Sequence, residues 1–168
     1  MITIDNNYLK EQIASHLGKQ LLHCEETYGM LCVETTKESI ISLLQFLKEH
    51  SELQMSFLTT MCGIHYPDNK GKELGVTYHL HSLVNNIRVR IKIFFSEHDC
   101  VVPTATTLFD TANWMEREAF DFYGIKFEGH PNLKRILNVD HMNYHPLRKE
   151  YPLEDATRTD KDDHFFGR

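Results

Sequence analysis

The stretch that decides the fold reads Asn86-Ile87-Arg88-Val89-Arg90-Ile91-Lys92-Ile93-Phe94-Phe95. Its apolar residues alternate with Asn, Arg and Lys, which is the period-two pattern of a β-strand that buries one face. A second strand pattern over 74–83 precedes it, and the intervening pair Asn85-Asn86 tolerates the left-handed conformations of a tight turn. The sequence therefore predicts a β-hairpin with one face on a core and one cationic face.

Further helix and strand patterns surround this hairpin, so the chain up to Gly124 is predicted to form one compact α+β domain. Thr35 and Glu38 have the spacing of a capping box at the start of a helix. Gly63 and Gly124 are expected to end the elements before them. The predicted elements are a helix over 5–17 capped by Asp5, strands over 21–24 and 29–33, a helix from the capping box to 50, a strand over 55–62, the hairpin, and a helix over 107–123.

The length and composition are those of a single globular domain. The chain has 168 residues and 19.7 kDa, with 41% hydrophobic and 25% charged residues, which excludes collagen-like, coiled-coil and fully disordered classes. No apolar run approaches the ~18 residues of a membrane span, and no secretory signal is expected at the N-terminus. The four cysteines form no CxxC pair, so we expect a reduced compartment and four small buried hydrophobes.

The charge distribution favours a protein partner. The net charge of −6 argues against binding to nucleic acid, which normally requires a basic excess. Residues 1–60 carry four Lys against eight Asp and Glu, whereas 126–149 carry five basic residues against two acidic ones. An acidic front and a locally basic rear segment indicate docking to another protein rather than to a polyanion.

From Ile125 onward the pattern changes to one rich in turn residues, with only a helical turn predicted over 133–137. Residues 141–168 contain few large aliphatic side chains, so they must be disordered or laid over another surface. His130-Pro131-Asn132-Leu133-Lys134-Arg135 recurs as His145-Pro146-Leu147-Arg148-Lys149, and each unit offers a proline bend, one apolar anchor and two cations. We therefore divide the chain into an α+β core domain, 1–124, and an extended C-terminal docking arm, 125–168.

Two polar clusters could carry chemistry. Arg117 and Asp121 are expected to pair on a helix, while Glu118 and Asp121 share a face and could serve as metal-binding or acid–base carboxylates. No His stands three residues after a Glu there, as carboxylate metal sites on helices require, so a solvated or partner-facing charged face is favoured. His79 and His81, with His65 or His98 as a third ligand, are the alternative start of a metal site. No nucleotide, hydrolase or zinc-protease motif occurs.

Two longer motifs resemble a known family. They are the run Asn113-Trp114-Met115-Glu116-Arg117-Glu118-Ala119-Phe120-Asp121-Phe122-Tyr123-Gly124-Ile125, continued by Phe127 to Leu137, and the run His145-Pro146-Leu147-Arg148-Lys149-Glu150-Tyr151-Pro152-Leu153. Both are similar to the signature of the C subunit of the proton-translocating NADH–quinone oxidoreductase, respiratory complex I. One departure is Tyr144, where the family usually has Gly. The resemblance covers residues 55–153 well and residues 1–54 in outline.

This resemblance implies a two-layer α+β domain with a mixed β-sheet packed against helices, followed by an extended C-terminal arm. It implies a non-catalytic structural subunit in the hydrophilic arm of the complex, on the cytoplasmic face of a bacterial inner membrane and attached to that membrane only through the complex. The expected partners are complex I subunits D, B and I, of which the first shapes the quinone cavity. No cofactor or metal is expected in this chain, whereas FMN and iron–sulfur clusters are expected in other subunits.

We accordingly expect no catalytic residue here, since the oxidoreductase activity would belong to the complex. The residues expected at the partner interface are Glu116, Arg117, Glu118, Asp121, His130, Lys134, Arg135, His145, Leu147, Arg148, Lys149 and Tyr151. Two alternatives remain open at this point. One is the equivalent subunit of a ferredoxin- or hydrogenase-linked membrane complex, and the other is a stand-alone metal-dependent enzyme built on the His and carboxylate clusters.

Overall fold

The computed structural model describes residues 4–152, which form a five-stranded mixed β-sheet with three α-helices and a two-stranded ribbon. The α+β class and the predicted hairpin are both confirmed. The elements are α1 (Asn6–Leu17), β1 (Leu21–Thr27), β2 (Met30–Thr35), α2 (Ile40–Glu49), β3 (Phe57–His65), β4 (Leu74–Ser82), β5 (Ile87–Phe95), β6 (Val101–Pro103), α3 (Ala112–Tyr123) and β7 (Lys126–Glu128), with short 3-10 helices at Gly18–Gln20 and Glu97–Asp99.

The sheet has the strand order β1-β2-β5-β4-β3 and is antiparallel except where β2 runs parallel to β5. Ile91 lies opposite both Val33 of β2 and Tyr78 of β4, so these three side chains share one face. That face is fully buried and belongs to the same hydrophobic core as the inner residues of all three helices. The period-two alternation of β5 therefore predicted correctly which residues enter the core.

Two predicted helix starts have different outcomes. Asp5 caps α1 as predicted, because its carboxylate accepts the Tyr8 N–H at 2.8 Å. The capping box predicted from Thr35 and Glu38 is wrong. Thr35 is the last residue of β2, where its hydroxyl donates to the Gln20 carbonyl at 2.8 Å, and the N-cap position of α2 is taken by Ser39.

Gly63 does not end its strand as predicted, because β3 continues to His65. The reason for a glycine at this position is the ring of Tyr123 in α3. A Cβ atom at Gly63 would lie 2.5 Å from Tyr123 Cδ2, so only a glycine lets α3 approach β3 this closely.

The core domain extends past the boundary predicted at Gly124. Strand β7 pairs in parallel with β6, and Ile125 and Phe127 lie in the core. We therefore define the packed arm as residues 129–152. The helical turn predicted over 133–137 is also wrong, because this stretch has no helical hydrogen bonds and curves around a buried carboxylate. Helix α3 begins at Ala112 rather than at 107.

The cysteine prediction is correct only in part. All four cysteines are free, but only Cys32 is buried, while Cys62 is exposed and the other two are half-buried. Within residues 4–152, no helix is long and apolar enough to cross a membrane.

Candidate functional site: the packed arm on helix α3

The packed arm is organised around the buried carboxylate of Asp121. Its Oδ2 accepts the backbone N–H groups of Ile136, Leu137 and Asn138 at 2.9–3.0 Å. Its Oδ1 accepts the Asn138 side-chain amide at 3.0 Å and Nη1 of Arg135 at 2.8 Å. Burial alone would raise the pKa of Asp121, but the donors from Asn138, Leu137 and Ile136 outweigh it and hold that pKa well below its ordinary value.

Two guanidinium groups fasten the arm to itself and to α3. Arg135 bridges from Asp121 to the carbonyl of Met142 at 2.7 Å, so it joins both halves of the arm. Arg117 donates to the carbonyls of Lys134 and Arg135 at 3.1 Å and stacks on the Trp114 ring, 4.9 Å from its centroid. The predicted Arg117–Asp121 ion pair is therefore wrong, because the arm supplies a nearer cation to Asp121 and carbonyl acceptors to Arg117.

The second His-Pro unit caps the C-terminus of α3. The last turn of a helix leaves carbonyl groups without partners inside the helix, and cations near them are favourable. His145 Nδ1 bonds the Asp121 carbonyl at 3.0 Å, the Leu147 N–H donates to Phe122 at 3.2 Å, and Arg148 Nε donates to Tyr123 at 2.8 Å. Burial lowers the pKa of His145, which favours the neutral ring with its proton on Nδ1.

Gly124 makes this close contact sterically feasible. It ends α3 in the left-handed conformation with φ of +77°, as its predicted role requires. A Cβ atom at Gly124 would lie 2.5 Å from Nε2 of His145 and 3.1 Å from Arg148. The glycine therefore serves both the backbone conformation and the seat of the arm.

A second buried carboxylate, Glu116, fastens the segment before α3. It accepts the Thr104 hydroxyl and the Ala105 N–H, both at 2.6 Å, and its side chain is fully buried. Burial raises the pKa of Glu116 to about 7, although both hydrogen bonds act in the opposite direction. The prediction of a solvated or partner-facing face is wrong for Glu116 and Asp121, because both are consumed by contacts within the chain.

Histidines anchor the arm at two further points. In the first His-Pro unit, His130 accepts the Asn132 N–H on Nδ1 at 3.0 Å, so Nε2 donates to the Asn113 carbonyl at 3.1 Å. Near the other end of the arm, the Lys149 N–H donates to Nδ1 of the buried His65 at 2.9 Å. These bonds connect the arm to the start of α3 and to the end of β3.

The outer surface of the arm remains open. Leu137 is 73% exposed and Val139 is 51% exposed, and Tyr144 and Leu147 are also exposed. A groove of about 600 Å³ beside them is lined by Tyr123, Pro146, Leu147, Arg148, Lys149, Tyr151 and Pro152. Leu147 partly closes a smaller cavity of about 110 Å³ between α3 and β3.

The twelve predicted interface residues therefore separate into three groups. Glu116 and Asp121 are buried inside the chain, and Glu118, Lys134, Leu147 and Lys149 are exposed. The half-buried group that holds or lines the arm contains Arg117, His130, Arg135, His145, Arg148 and Tyr151. Sequence reasoning missed Leu137, Val139 and Asn138. Two large aliphatic residues in a stretch with few others were the available signal for the first two.

The alternative metal site does not form. His79 and His65 point to opposite faces of the sheet, and His79 instead accepts a hydrogen bond from Arg90 at 2.8 Å. Across residues 4–152, no three His, Cys, Asp or Glu side chains come together in a group that could hold a metal ion.

Comparison with known proteins identifies the family. The family described as "Respiratory-chain NADH dehydrogenase, 30 Kd subunit" matches residues 33–157, which span the sheet, α3 and the packed arm. This chain belongs to that family. The 30 kDa subunit family includes C subunits of NADH-quinone oxidoreductase, such as one from Citrifermentans bemidjiense that is 39% identical over 92% of this chain and 94% of its own length. A C subunit from Rhizobium meliloti, the second of two in that organism, is 46% identical over 84% of this chain and 76% of its own length.

Solved structures of related chains have the same fold. A trypsin-resistant fragment of Nqo5 matches with a TM-score of 0.64 and 29% identity, over 74% of this chain and 98% of that fragment. A chain of the membrane-bound sulfane sulfur reductase, an archaeal respiratory membrane complex, matches with a TM-score of 0.73 over 88% of this chain and 85% of its own. Its identity of 18% makes that second likeness one of fold alone. Together these matches support the two-layer α+β architecture that the 30 kDa subunit family resemblance implied.

Proposed function

We propose that this chain is a structural subunit of the peripheral arm of an NADH-quinone oxidoreductase, on the cytoplasmic face of a bacterial inner membrane. It would dock onto subunits D, B and I, and would position the first of these, the quinone-site subunit, so that electrons pass from NADH to quinone in those neighbours. Membership of the 30 kDa subunit family supports this assignment, as do relatives named as the C subunit that match over nearly their full length.

The observation that carries the proposal is the two-sided arm. Its inner side spends Asp121, Arg135 and His145 on contacts within the chain, whereas its outer side exposes Leu137 and Val139 to solvent. Neighbouring exposed apolar side chains on an ordered segment are typical of protein interfaces. The cations Lys134 and Lys149 lie on the same exposed segment and could bind carboxylates at the rim of such an interface.

We infer that this chain contributes no cofactor to the reaction, and that FMN and iron–sulfur clusters reside in other subunits. The buried polar groups described above support this view, because Glu116 and Asp121 are both saturated with protein donors. Saturated carboxylates stabilise structure and have little capacity left for a ligand.

A second candidate is the equivalent subunit of another respiratory membrane complex. The fold of the sulfane sulfur reductase chain favours keeping it. The higher identity to the C subunits of NADH-quinone oxidoreductases, 36–46% against 18%, favours the NADH-linked complex. The electron-input subunits that co-purify with a tagged chain distinguish the two.

The double variant Leu137→Ser/Val139→Ser tests the docking role of the outer arm. The matched control is Leu83→Ser/Val84→Ser, which removes an exposed apolar pair at the β4–β5 turn. We expect both isolated chains to keep the parent melting temperature, and only the arm variant to lose incorporation into the membrane complex on native gels. Equal incorporation of both variants would remove the arm from the interface.

A further inference from the structure

The face of the sheet opposite the helices is the second open surface of this protein. Alternate residues of β5 point to it, and Arg88 is exposed while Arg90 and Lys92 are half-buried. His79 and His81 of β4 share this face, because they lie opposite Arg90 and Arg88 in register. We call these five residues the open sheet face.

The cations of the open sheet face have no acidic partners within residues 4–152. None of Arg88, Arg90 and Lys92 has a carboxylate within ion-pair distance in that part of the chain. Glu34 lies beside Lys92 in register, but its carboxylate binds Lys72 at 2.9 Å. Three like charges therefore stand along one strand at about 7 Å intervals, where they repel one another.

Two buried polar atoms on the same face also have no hydrogen-bond partner in the described chain. They are Oγ1 of Thr77, whose residue is 4% exposed, and Nδ1 of His79. Unsatisfied buried polar atoms normally require an explanation, because each one costs stability. A partner that supplies hydrogen-bonding groups at this face would remove that cost.

Arg90 is already oriented for such a partner. Its Nε donates to Nε2 of His79 at 2.8 Å, and its Nη1 contacts Sγ of Cys32 at 3.7 Å. These contacts fix the plane of the guanidinium while its Nη2 is not used in either contact. A guanidinium held in place loses little conformational entropy when it binds a carboxylate.

We propose that the open sheet face binds an acidic segment of a neighbouring protein chain, as a contact separate from the arm. Protein carboxylates fit better than nucleic acid or an anionic membrane, because Glu25 and Glu34 flank the cations and the whole chain carries −6. The inference rests on the proposed function in requiring a multisubunit complex, but it does not depend on which subunit touches the arm.

Zero-length carbodiimide cross-linking of the complex purified with the tagged full chain tests the proposal. This reagent joins amines to carboxylates in direct contact, so mass spectrometry should find Lys92 joined to an Asp or Glu of another subunit. Acetylation of Lys92 should be slower in the complex than in the isolated chain by at least about tenfold, whereas exposed Lys10 on α1 should react equally in both. In a Lys92→Arg variant the cross-link should disappear and incorporation should persist.

Charge reversal provides the second arm of the test. Arg88→Glu/Lys92→Glu should reduce incorporation at least about tenfold, while Lys10→Glu/Lys19→Glu, with the same change in net charge, should not. Equal acetylation of Lys92 in both states, a cross-link only to Glu34 of the same chain, or equal incorporation of both variants would overturn the proposal. Binding of the isolated chain to vesicles with 30% phosphatidylserine that is lost in the Arg88/Lys92 variant would assign the face to lipid and would also overturn it. Absence of any co-purifying subunit would instead refute the proposed function.

Discussion

Asp121→Asn is the substitution that separates docking of the arm from stability of the core. The change preserves the shape of the side chain but replaces one oxygen by an amide nitrogen. The carboxylate accepts hydrogen bonds on both oxygens, three from backbone N–H groups on Oδ2 and two from side chains on Oδ1. An amide can satisfy only one of these two sets, and its own N–H group then opposes the donors of the other.

The cost follows from which donors lose their acceptor. If the amide nitrogen takes the Oδ1 position, Arg135 and Asn138 lose theirs, and a guanidinium with 11% exposure is left without its counter-charge. Hydrogen bonds to charged groups contribute about 1.5–3 kcal/mol each, and breaking one side of a buried ion pair costs about 3–5 kcal/mol. We therefore expect the free energy of opening the arm to fall by about 3–5 kcal/mol.

Hydrogen-exchange mass spectrometry of the full-length chain measures this directly. Protection of the amides of Ile136, Leu137 and Asn138 should fall in the variant, while protection in β4 and β5 should stay as in the parent, because the packed arm lies outside the sheet core. The matched control is Glu118→Gln on the same helix, where the side chain is exposed. If the Asp121 variant kept arm protection to within about 1 kcal/mol of the parent, the central role of this carboxylate would be refuted.

Three further outcomes are expected. Gly124→Ala should lower protection of residues 145–148 and cost about 2 kcal/mol, more than the ~1 kcal/mol expected for Gly71→Ala, because both glycines have positive φ but only Gly124 faces the arm; equal losses would contradict the steric argument. The pKa of Glu116 is raised from 4.5 to about 7, so the folded state binds its proton more tightly, and stability should decrease as pH rises through that interval by up to about 3 kcal/mol; pH-dependent urea unfolding of Glu116→Gln should lack this component. A chain truncated after Asp140 should fold with a melting temperature a few degrees lower, since α3 loses its C-terminal cap, and should fail to enter the membrane complex; an unchanged melting temperature in thermal scans would show that the cap is energetically silent.

Local sequence patterns predicted the regular part of this structure well. Alternation along β5, helical spacing in α1 and the glycine that ends α3 are properties of neighbouring residues, and burial of one face follows from them directly. The two His-Pro units were also correctly marked as bends that present cations. The errors at Thr35 and Gly63 arose where a partner distant in sequence determined the local structure.

The arm shows the limit of sequence reasoning most clearly. The motif around Glu116 and Asp121 was visible as a cluster of charges, and charges are normally solvated, so both residues were placed at a partner interface. Whether a carboxylate is buried depends on the donors that reach it, and those of Asp121 come from residues 135–138, more than ten positions away. No short-range pattern contains that information.

By itself, the sequence therefore determined the α+β class, the order of the elements, the core face of the sheet and the family, because each depends on local periodicity or on motifs that are contiguous in the chain. Only the tertiary structure decided which charges hold the chain together and which remain available to partners. Packing of the arm on α3 consumes Asp121, Arg135 and Arg148, while the one-sided packing of helices on the sheet leaves Arg88 and Lys92 facing solvent. The physical reason is that hydrogen-bond saturation and burial are properties of a side chain's whole surroundings, which only the folded chain assembles.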